Sequence, residues 1–291
     1  MQFVTQHPLI YRTGTAVIAG HRLGPMEITG FGIAMLLAFI IAQLVMTAEL
    51  DRRGHDAAAG AMSDITVAAV IGGLLGAKLW YVLLTGDSLF HRGGFVFWGG
   101  LLGGIASTFA VMRWKKISFW RIADVGGIGL AAAYAVGRTG CWAVGDDYGR
   151  PWTSRFAVGF PEGAPPSTVH NLVEQFGLKS LQDRPPLEIV GVYPTQLFEV
   201  ALALVMFGVL WRLRKHAHAE GWLFGVYCTL AGAERFIVEF YRAKDDRLFG
   251  ALTLAQVVAI GFIAAGAIIA ASFRSRSLSR ASTPGPAAVA P

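Results

Sequence analysis

Charged residues are scarce in this chain of 291 residues, and this scarcity excludes most soluble classes. Only 15% of the residues are charged, 54% are hydrophobic, and the mean hydropathy is +0.51. That balance is wrong for a soluble domain and typical of a polytopic membrane protein. The net charge of +6 is small and indicates basic cytoplasmic loops rather than binding to nucleic acid.

Cysteine is also scarce. Cys141 and Cys228 lie far apart in apolar segments, so the sequence predicts neither a disulfide framework nor a metal site. The N-terminal residues lack a basic segment that leads into an apolar core, and we therefore expect no cleaved signal peptide.

Long apolar runs are abundant, and each is long enough to cross about 30 Å of hydrocarbon. They predict an all-α polytopic membrane protein with seven transmembrane helices and a small extracytoplasmic head segment. The predicted spans lie near residues 28–48, 65–84, 94–112, 122–144, 192–211, 221–241 and 252–272.

Basic residues orient these spans. Twelve lysines and arginines sit tightly against one set of span ends, which the positive-inside rule makes cytoplasmic. The N-terminus is then outside the cell and the C-terminus cytoplasmic. The organisation that follows is an extracytoplasmic arm at 1–27, helices 1–4 at 28–144, the head segment at 145–191, helices 5–7 at 192–272 and a disordered cytoplasmic tail at 273–291.

The head segment is rich in proline, so much of it cannot be helical. An exception is 167–183, where a cap-like start and an apolar face predict a short amphipathic helix.

Charged side chains inside the spans indicate a site. A charge at the middle of a spanning helix costs about 2.5–3.5 kcal/mol on insertion scales and usually faces a cavity. At about 1.5 Å per residue, Arg138, Arg235 and Lys78 lie roughly 20–24 Å up rising spans, and Glu199 lies about 10 Å below the outer face. Four helices therefore bring polar groups into the outer half of the membrane.

Each of these groups also has a structural explanation. Lys78 can extend outward and anchor its helix. Arg235 and Glu239 are four residues apart and can pair on one helix face. The convergence of four helices favours function over these separate explanations.

The densest motif runs from Gly137 to Pro151 and reads GRTGCWAVGDDYGRP. Its glycines, Gly137, Gly140 and Gly145, would let a head group approach the backbone beside Arg138. Helix packing also explains a Gly-x-x-Gly pattern, although packing does not require an arginine between the glycines.

This motif resembles the signature of the bacterial prolipoprotein diacylglyceryl transferases. Other stretches agree with that family in order along nearly the whole chain. They are Gly76–Leu79, Phe97–Gly104, Tyr193–Glu199 and Arg235–Arg242.

The resemblance implies an enzyme of the bacterial cytoplasmic (inner) membrane with seven spans and an external N-terminus. Such enzymes transfer the diacylglyceryl group of phosphatidylglycerol to the thiol of the lipobox cysteine in a prolipoprotein signal peptide and release glycerol phosphate. The partners implied are phosphatidylglycerol, the prolipoprotein lipobox and membrane lipids, with no nucleic acid. No metal, nucleotide or other cofactor is implied.

Several positions depart from the family pattern, among them Phe31, which stands where a tyrosine often precedes the last glycine of Gly30-Phe31-Gly32, and Lys78, where the family usually has arginine. Trp98 stands where many members have a histidine, Cys141 stands at the signature asparagine, and Asp146 is the acidic residue after Gly145. A histidine base for the thiol therefore cannot be transferred to this chain, and the resemblance implies a divergent member.

The hypothesis assigns catalysis to Arg138 and Arg235, which would stabilise charge on the leaving phosphate, and proton acceptance to Asp146, with Asp147 and then His170 as alternatives. Ten residues are assigned to substrate binding: Gly137, Gly140, Gly145, Asp147, Gln196, Glu199, Glu239, Arg242, Lys78 and Trp98.

Two other functional classes remain open. A non-catalytic protein that binds or moves anionic phospholipid would keep the same pocket, and Trp98 and Cys141 favour it. A channel or transporter would need a continuous polar path, and the cytoplasmic halves of the spans offer few polar groups to build one.

The first testable prediction concerns Cys141, which could be mistaken for a covalent nucleophile. A thiol within an apolar helix is expected to be inert, so Cys141→Ser should leave diacylglyceryl transfer largely intact. The measurement is thioether product formed on a lipobox peptide, and complete loss of product would contradict the prediction.

Overall fold

The computed structural model of the protein describes residues 3–12, 16–18, 21–23, 27–89, 94–243, 247–249 and 252–281. The α-helices within these ranges are α1 (Gly30–Arg52), α2 (Asp56–Gly60), α3 (Met62–Thr85), α4 (Phe97–Trp114), α5 (Phe119–Val144), α6 (Val169–Glu174), α7 (Thr195–Leu213), α8 (Trp222–Glu239) and α9 (Leu254–Ala281). One 3-10 helix spans Lys179–Leu181.

Short strands accompany the helices in four two-stranded pairs among the described residues. The strands are β1 (Val4–Thr5), β2 (Ile10–Arg12), β3 (Ala16–Ile18), β4 (His21–Leu23), β5 (Glu27–Thr29), β6 (Val158–Gly159), β7 (Arg247–Phe249) and β8 (Leu252–Thr253). β1 pairs with β6 in parallel, and the pairs β2–β5, β3–β4 and β7–β8 are antiparallel.

Five described helices are long and apolar enough to cross a membrane: Gly30–Arg52, Met62–Thr85, Phe119–Val144, Thr195–Leu213 and Leu254–Arg274. Helices α4 and α8 have 18 residues each, and α8 carries Glu234, Arg235 and Glu239 within that length. The chain is therefore a helical polytopic membrane protein. Helix α9 continues past Ser272 as far as Ala281, and the rest of the predicted tail, 282–291, lies outside the described residues.

The chain forms two compact units, Ile41–Gly129 and a second made of Met1–Ile40 with Leu130–Pro291. In the first unit a buried core joins the end of α1 to α2, the start of α3, the end of α4 and the start of α5. Arg53 lies against that core and pairs with Glu49 and Asp124, each at 2.7 Å. Both carboxylates are buried, so these ion pairs tie α1 to α5.

Small residues control the packing of α3 on α4. An added Cβ at Gly76 would overlap the carbonyl oxygen of Gly99, and one at Gly103 would overlap that of Gly72. The hydroxyl of Ser107 donates a hydrogen bond to the carbonyl of Ala68 at 2.7 Å across the same contact. Such close backbone approach is how helices associate where the solvent is lipid.

In the other unit, residues 145–191 fold around their own core. The buried members include Tyr148, stacked on Phe160 with ring centroids 5.3 Å apart, and Leu172. Ser167 is fully buried there, where its hydroxyl accepts from the Phe160 amide at 2.9 Å and donates to the Val190 carbonyl at 3.0 Å.

The helix predicted at 167–183 is shorter than expected. Thr168 caps α6, with its side chain accepting from the Asn171 amide at 3.3 Å, but α6 ends at Glu174. A left-handed Gly177 (φ +74°) then separates it from the 3-10 turn. The left-handed glycine prevents the helix from continuing, although the apolar pattern of the sequence runs on past it.

A glycine substitution tests the packing of α3 on α4. Gly76→Ala should lower the thermal unfolding temperature of the detergent-purified protein, because overpacking a close contact typically costs about 1–3 kcal/mol.

The matched control is Gly208→Ala in α7, where no described atom lies within 4 Å of the added Cβ. Alanine should be neutral or slightly stabilising there, since it has the higher helix propensity. Equal unfolding temperatures for the two variants would contradict the packing argument.

Candidate active site

Arg138 on α5 is held by acidic groups from two other segments. Its Nη1 donates to Asp147 Oδ2 at 2.9 Å, and its Nη2 forms a very short ion pair with Glu199 Oε2. Only 10% of its side chain is exposed. A guanidinium at this position in a spanning helix is stabilised because two carboxylates compensate its charge.

Arg242, just after α8, connects the loop that follows α5 to helices α7 and α8. Its Nη2 donates to Asp147 Oδ1 at 2.5 Å, and its Nη1 lies 3.8 Å from Glu199 Oε1. Its Nε lies 4.0 Å from Glu239 Oε2, which in turn pairs with Arg235 Nη2 at 2.6 Å. We call the six side chains the guanidinium–carboxylate cluster: Arg138, Arg235, Arg242, Asp147, Glu199 and Glu239.

The predicted convergence is thus present for Arg138, Arg235 and Glu199. The two arginines are linked through Glu239 and Arg242 rather than side by side. The pairing of Arg235 with Glu239 on one helix face, considered above as a structural alternative, also occurs. It leaves 34% of the Arg235 side chain exposed, the largest exposure among the three arginines.

The backbone that carries Asp146 and Asp147 is fixed by the first turn of α7. Thr195 Oγ1 donates to the Asp147 carbonyl at 2.8 Å, and Gln196 Nε2 donates to the Asp146 carbonyl at 2.6 Å. Helix α5 ends at Val144, and the next residue, Gly145, has a φ of +70°, the left-handed conformation that terminates helices. These contacts place both aspartates immediately after the end of α5, the helix that carries Arg138.

The two aspartates differ electrostatically. Burial raises the pKa of Asp146, and the hydrogen bond with Cys141 only partly opposes this effect. Burial acts in the same direction on Asp147, but the charges of Arg242 and Arg138 outweigh it and hold the pKa of Asp147 below its usual value. Asp147 therefore stays ionised at a lower pH than a free aspartate does, whereas Asp146 takes up a proton more readily.

Several polar atoms in and beside the cluster can still form a hydrogen bond with a ligand. Arg138 Nε, Arg235 Nη1 and Gln196 Oε1 are buried and make no hydrogen bond within the part of the chain that the structure describes. Two of the three are guanidinium donors, and guanidinium groups favour carboxylate or phosphate oxygens.

Cys141, Asp146 and Asp147 also lie close together, with potential ligand atoms within 4.8 Å of one another. Arg138 Nη1 donates to Cys141 Sγ at 3.2 Å and to Asp147 at 2.9 Å. A cation placed there would meet the positive guanidinium of Arg138, which disfavours a metal ion at this position.

The signature glycines have packing roles. An added Cβ at Gly140 would lie 2.8 Å from the Cβ of Ala34 on α1, and one at Gly145 would lie 2.9 Å from the Phe160 ring. Gly137 has more room, since the nearest atom to its added Cβ is Met35 Sδ at 3.9 Å. The packing of Gly140 against α1 and the left-handed turn at Gly145 therefore explain these two glycines without a lipid.

Two predicted binding residues belong to the other unit. Lys78 Nζ lies 5.2 Å from the Tyr81 ring centroid and 5.6 Å from that of Phe95. Trp98 is 56% exposed and meets Phe97 edge-to-face at 5.7 Å. His170, the alternative proton acceptor, is exposed on α6.

Sequence reasoning missed Tyr134 and Glu234. The Tyr134 hydroxyl lies 3.2 Å from Glu199 Oε1 and 3.4 Å from Glu234 Oε1, so it bridges α5 to α7 and α8. Tyr134 is four residues before Arg138, and that helical spacing was an available signal. Glu234 was visible as a further charge within a predicted span.

Comparison with known proteins shows the family of the chain. A family model described as prolipoprotein diacylglyceryl transferase matches residues 18–272. The chain is similar to the phosphatidylglycerol–prolipoprotein diacylglyceryl transferase of Stenotrophomonas maltophilia, with 30% identity over 85% of this chain and 88% of the relative. It is also similar to the protein of the same name from Geobacter sulfurreducens, with 29% identity over 78% of this chain and 82% of the relative. The corresponding protein of Corynebacterium diphtheriae is 27% identical over 85% of this chain and 90% of the relative.

The family match covers most of the chain and includes every member of the guanidinium–carboxylate cluster. The chain belongs to the prolipoprotein diacylglyceryl transferase family.

Proposed function

We propose that the protein transfers the diacylglyceryl group of phosphatidylglycerol to the lipobox cysteine of prolipoproteins in the bacterial inner membrane. The observation that carries the proposal is the guanidinium–carboxylate cluster, which joins three arginines beside a spanning helix. Phosphatidylglycerol supplies a matching phosphate, and relatives that bear the transferase name cover the chain nearly end to end.

The reaction replaces one bond by another at a glycerol carbon. The cysteine thiolate attacks the carbon that carries the phosphate ester, a carbon–sulfur bond forms, and the carbon–oxygen bond breaks. The bond electrons move onto the departing glycerol phosphate, and the thiol proton passes to a base. An unperturbed thiol has a pKa near 8.5, so it requires that base to react quickly at neutral pH.

In this scheme Arg138 stabilises the negative charge that develops on the leaving oxygen, and Arg235 and Arg242 hold the remaining phosphate oxygens. Such fixed donors act strongly because little water competes with them. Glu199 and Glu239 orient the guanidinium groups. Asp146 accepts the thiol proton, since its raised pKa makes it a better base than an ordinary aspartate.

The acyl chains have a place beside the cluster. An apolar groove of about 390 Å³ lies along α7 and α8, and its lining includes Trp152, Tyr193, Phe198, Leu202, Ile237 and Tyr241. The lining residue Tyr241 directly precedes Arg242, and the carbonyl of Tyr193 accepts from the amide of Gly149, two residues after Asp147, at 2.8 Å. A lipid whose phosphate meets the arginines could lay a hydrocarbon chain in this groove.

The same proposal includes seven spans, with α4 and α8 added to the five longer or more apolar helices. The positive-inside pattern supports a cytoplasmic C-terminus with the tail at 273–291, and an external N-terminal arm at 1–27. Residues 145–191 would then form the extracytoplasmic head above the cluster, and the lipobox would approach from that side.

Arginine substitutions test the chemistry. With phosphatidylglycerol vesicles and a lipobox peptide, the purified wild-type protein should form thioether product. Arg138→Ala should reduce the rate at least 100-fold, as expected for loss of a charge-stabilising donor. Arg235→Ala should reduce it less, about tenfold or more, because Arg235 is the most exposed of the three.

The matched control is Arg184→Ala, which removes an exposed arginine paired with Glu188 at 2.5 Å. Its rate should equal that of the wild type. Saturable lipid binding without product in the wild type would instead support the non-catalytic lipid-binding protein that Trp98 and Cys141 favour.

Glu199→Gln tests whether the rate of transfer depends on how Glu199 orients Arg138 and Arg242. Both Arg138 and Arg242 lose a buried carboxylate partner, so kcat should fall at least tenfold and the unfolding temperature should drop by several degrees. Glu188→Gln, which alters an exposed pair, should change neither quantity. Wild-type kcat in Glu199→Gln would remove Glu199 from the mechanism.

A further inference from the structure

The charge balance of the cluster restricts how a phosphate can bind. Six ion pairs join three guanidinium groups to three carboxylates among the described residues, so the charges of these six side chains sum to zero, and the nearby carboxyl groups of Asp146 and Glu234 add no positive charge. An entering phosphodiester brings one further negative charge into partly buried surroundings. Six side chains whose charges cancel attract the phosphodiester only weakly, unless one carboxylate leaves its arginine partners.

Only one of the three carboxylates can leave its arginine partners without displacing the protein around it. The side chains of Glu199 and Glu239 are each 2% exposed, whereas that of Asp147 is 43% exposed. Moving either glutamate would require protein to shift around it. Asp147 needs only to rotate towards solvent, which exposed side chains do on the picosecond-to-nanosecond timescale.

Asp147 is also bound as a phosphate would be. Each of its two oxygens accepts from a different arginine, Oδ2 from Arg138 at 2.9 Å and Oδ1 from Arg242 at 2.5 Å. A phosphodiester likewise offers two unesterified oxygens that share one negative charge. The carboxylate and the lipid phosphate therefore compete for the same donors.

The backbone at Asp147 would remain in place during the exchange. Thr195 holds its carbonyl at 2.8 Å, and the amide of Gly149 donates to the Tyr193 carbonyl at 2.8 Å. Its φ of +56° is left-handed, a conformation that aspartate, asparagine and glycine tolerate better than other residues. The exchange is thus confined to one side chain.

We propose that Asp147 is an internal substitute for the lipid phosphate: its carboxylate bridges Arg138 and Arg242, yields to phosphatidylglycerol, and returns to displace glycerol phosphate after transfer. This inference rests on the proposed function and adds a residue that tunes affinity and product release. Asp147 preserves the geometry of the arginines between turnovers and limits how tightly any anion is retained.

The test is Asp147→Asn, which keeps the shape and the tolerance of a left-handed φ but removes the charge. Equilibrium binding of phosphatidylglycerol to the detergent-purified protein should tighten about tenfold, which corresponds to about 1.4 kcal/mol. Binding of phosphatidylcholine, which has no net charge, should tighten less. Inhibition of transfer by glycerol phosphate should strengthen by a similar factor because the competing carboxylate is gone.

Asp147→Gly is the second variant, since glycine suits the backbone and removes the side chain altogether. It should also tighten phosphatidylglycerol binding. Asp183→Asn, an identical charge change at an exposed site, is the control and should leave affinity unchanged.

Weaker or unchanged phosphatidylglycerol affinity in both Asp147 variants would overturn the inference and make Asp147 an anchor for the arginines. A wild-type protein that forms no thioether would instead overturn the proposed function. The binding comparison does not depend on turnover, so the two failures are distinguishable.

Discussion

The ion pair between Arg138 and Glu199 is the interaction on which the site depends. It joins α5 to α7 where a lone guanidinium would be costly to keep in the membrane. The other contacts of the cluster are arranged around this pair. Arg138 occupies Oε2 of Glu199, while Arg242 and the hydroxyl of Tyr134 approach Oε1. Asp147 then bridges Arg138 and Arg242. Three helices and one loop are thereby connected by charge rather than by apolar packing, which has little driving force in lipid.

The fold supplies the constraints that keep this network in position. Residues 145–191 fold around Tyr148 and Phe160, so the loop after α5 is a packed structure and not a flexible connection. The start of α7 fixes the carbonyls of Asp146 and Asp147, while Gly145 turns the chain sharply at the end of α5. The two neighbouring aspartates consequently have different environments: burial raises the pKa of Asp146, whereas Arg242 and Arg138 hold the pKa of Asp147 below its usual value.

The long helices and several charged residues of the site could be predicted from the sequence. Apolar runs revealed the long helices, and charges inside those runs revealed Arg138, Arg235 and Glu199, because each is expensive in lipid unless compensated. The pairing of Arg235 with Glu239 followed from helical spacing. Periodicity could not show that Gly177 interrupts 167–183, since a left-handed turn leaves the apolar pattern intact. Nor could it reveal that Asp147 bridges Arg138 and Arg242, which are 104 positions apart in the chain and meet only through tertiary structure.

In the proposed function, this cluster receives the phosphate of an anionic phospholipid. A high-resolution experimental structure of the protein with phosphatidylglycerol bound tests it most directly. We expect the phosphate oxygens to lie within about 3.2 Å of guanidinium nitrogens of Arg138 and Arg242, with the carboxylate of Asp147 turned away from both arginines. A phosphate bound elsewhere, with Asp147 still bridging the two arginines, would contradict it.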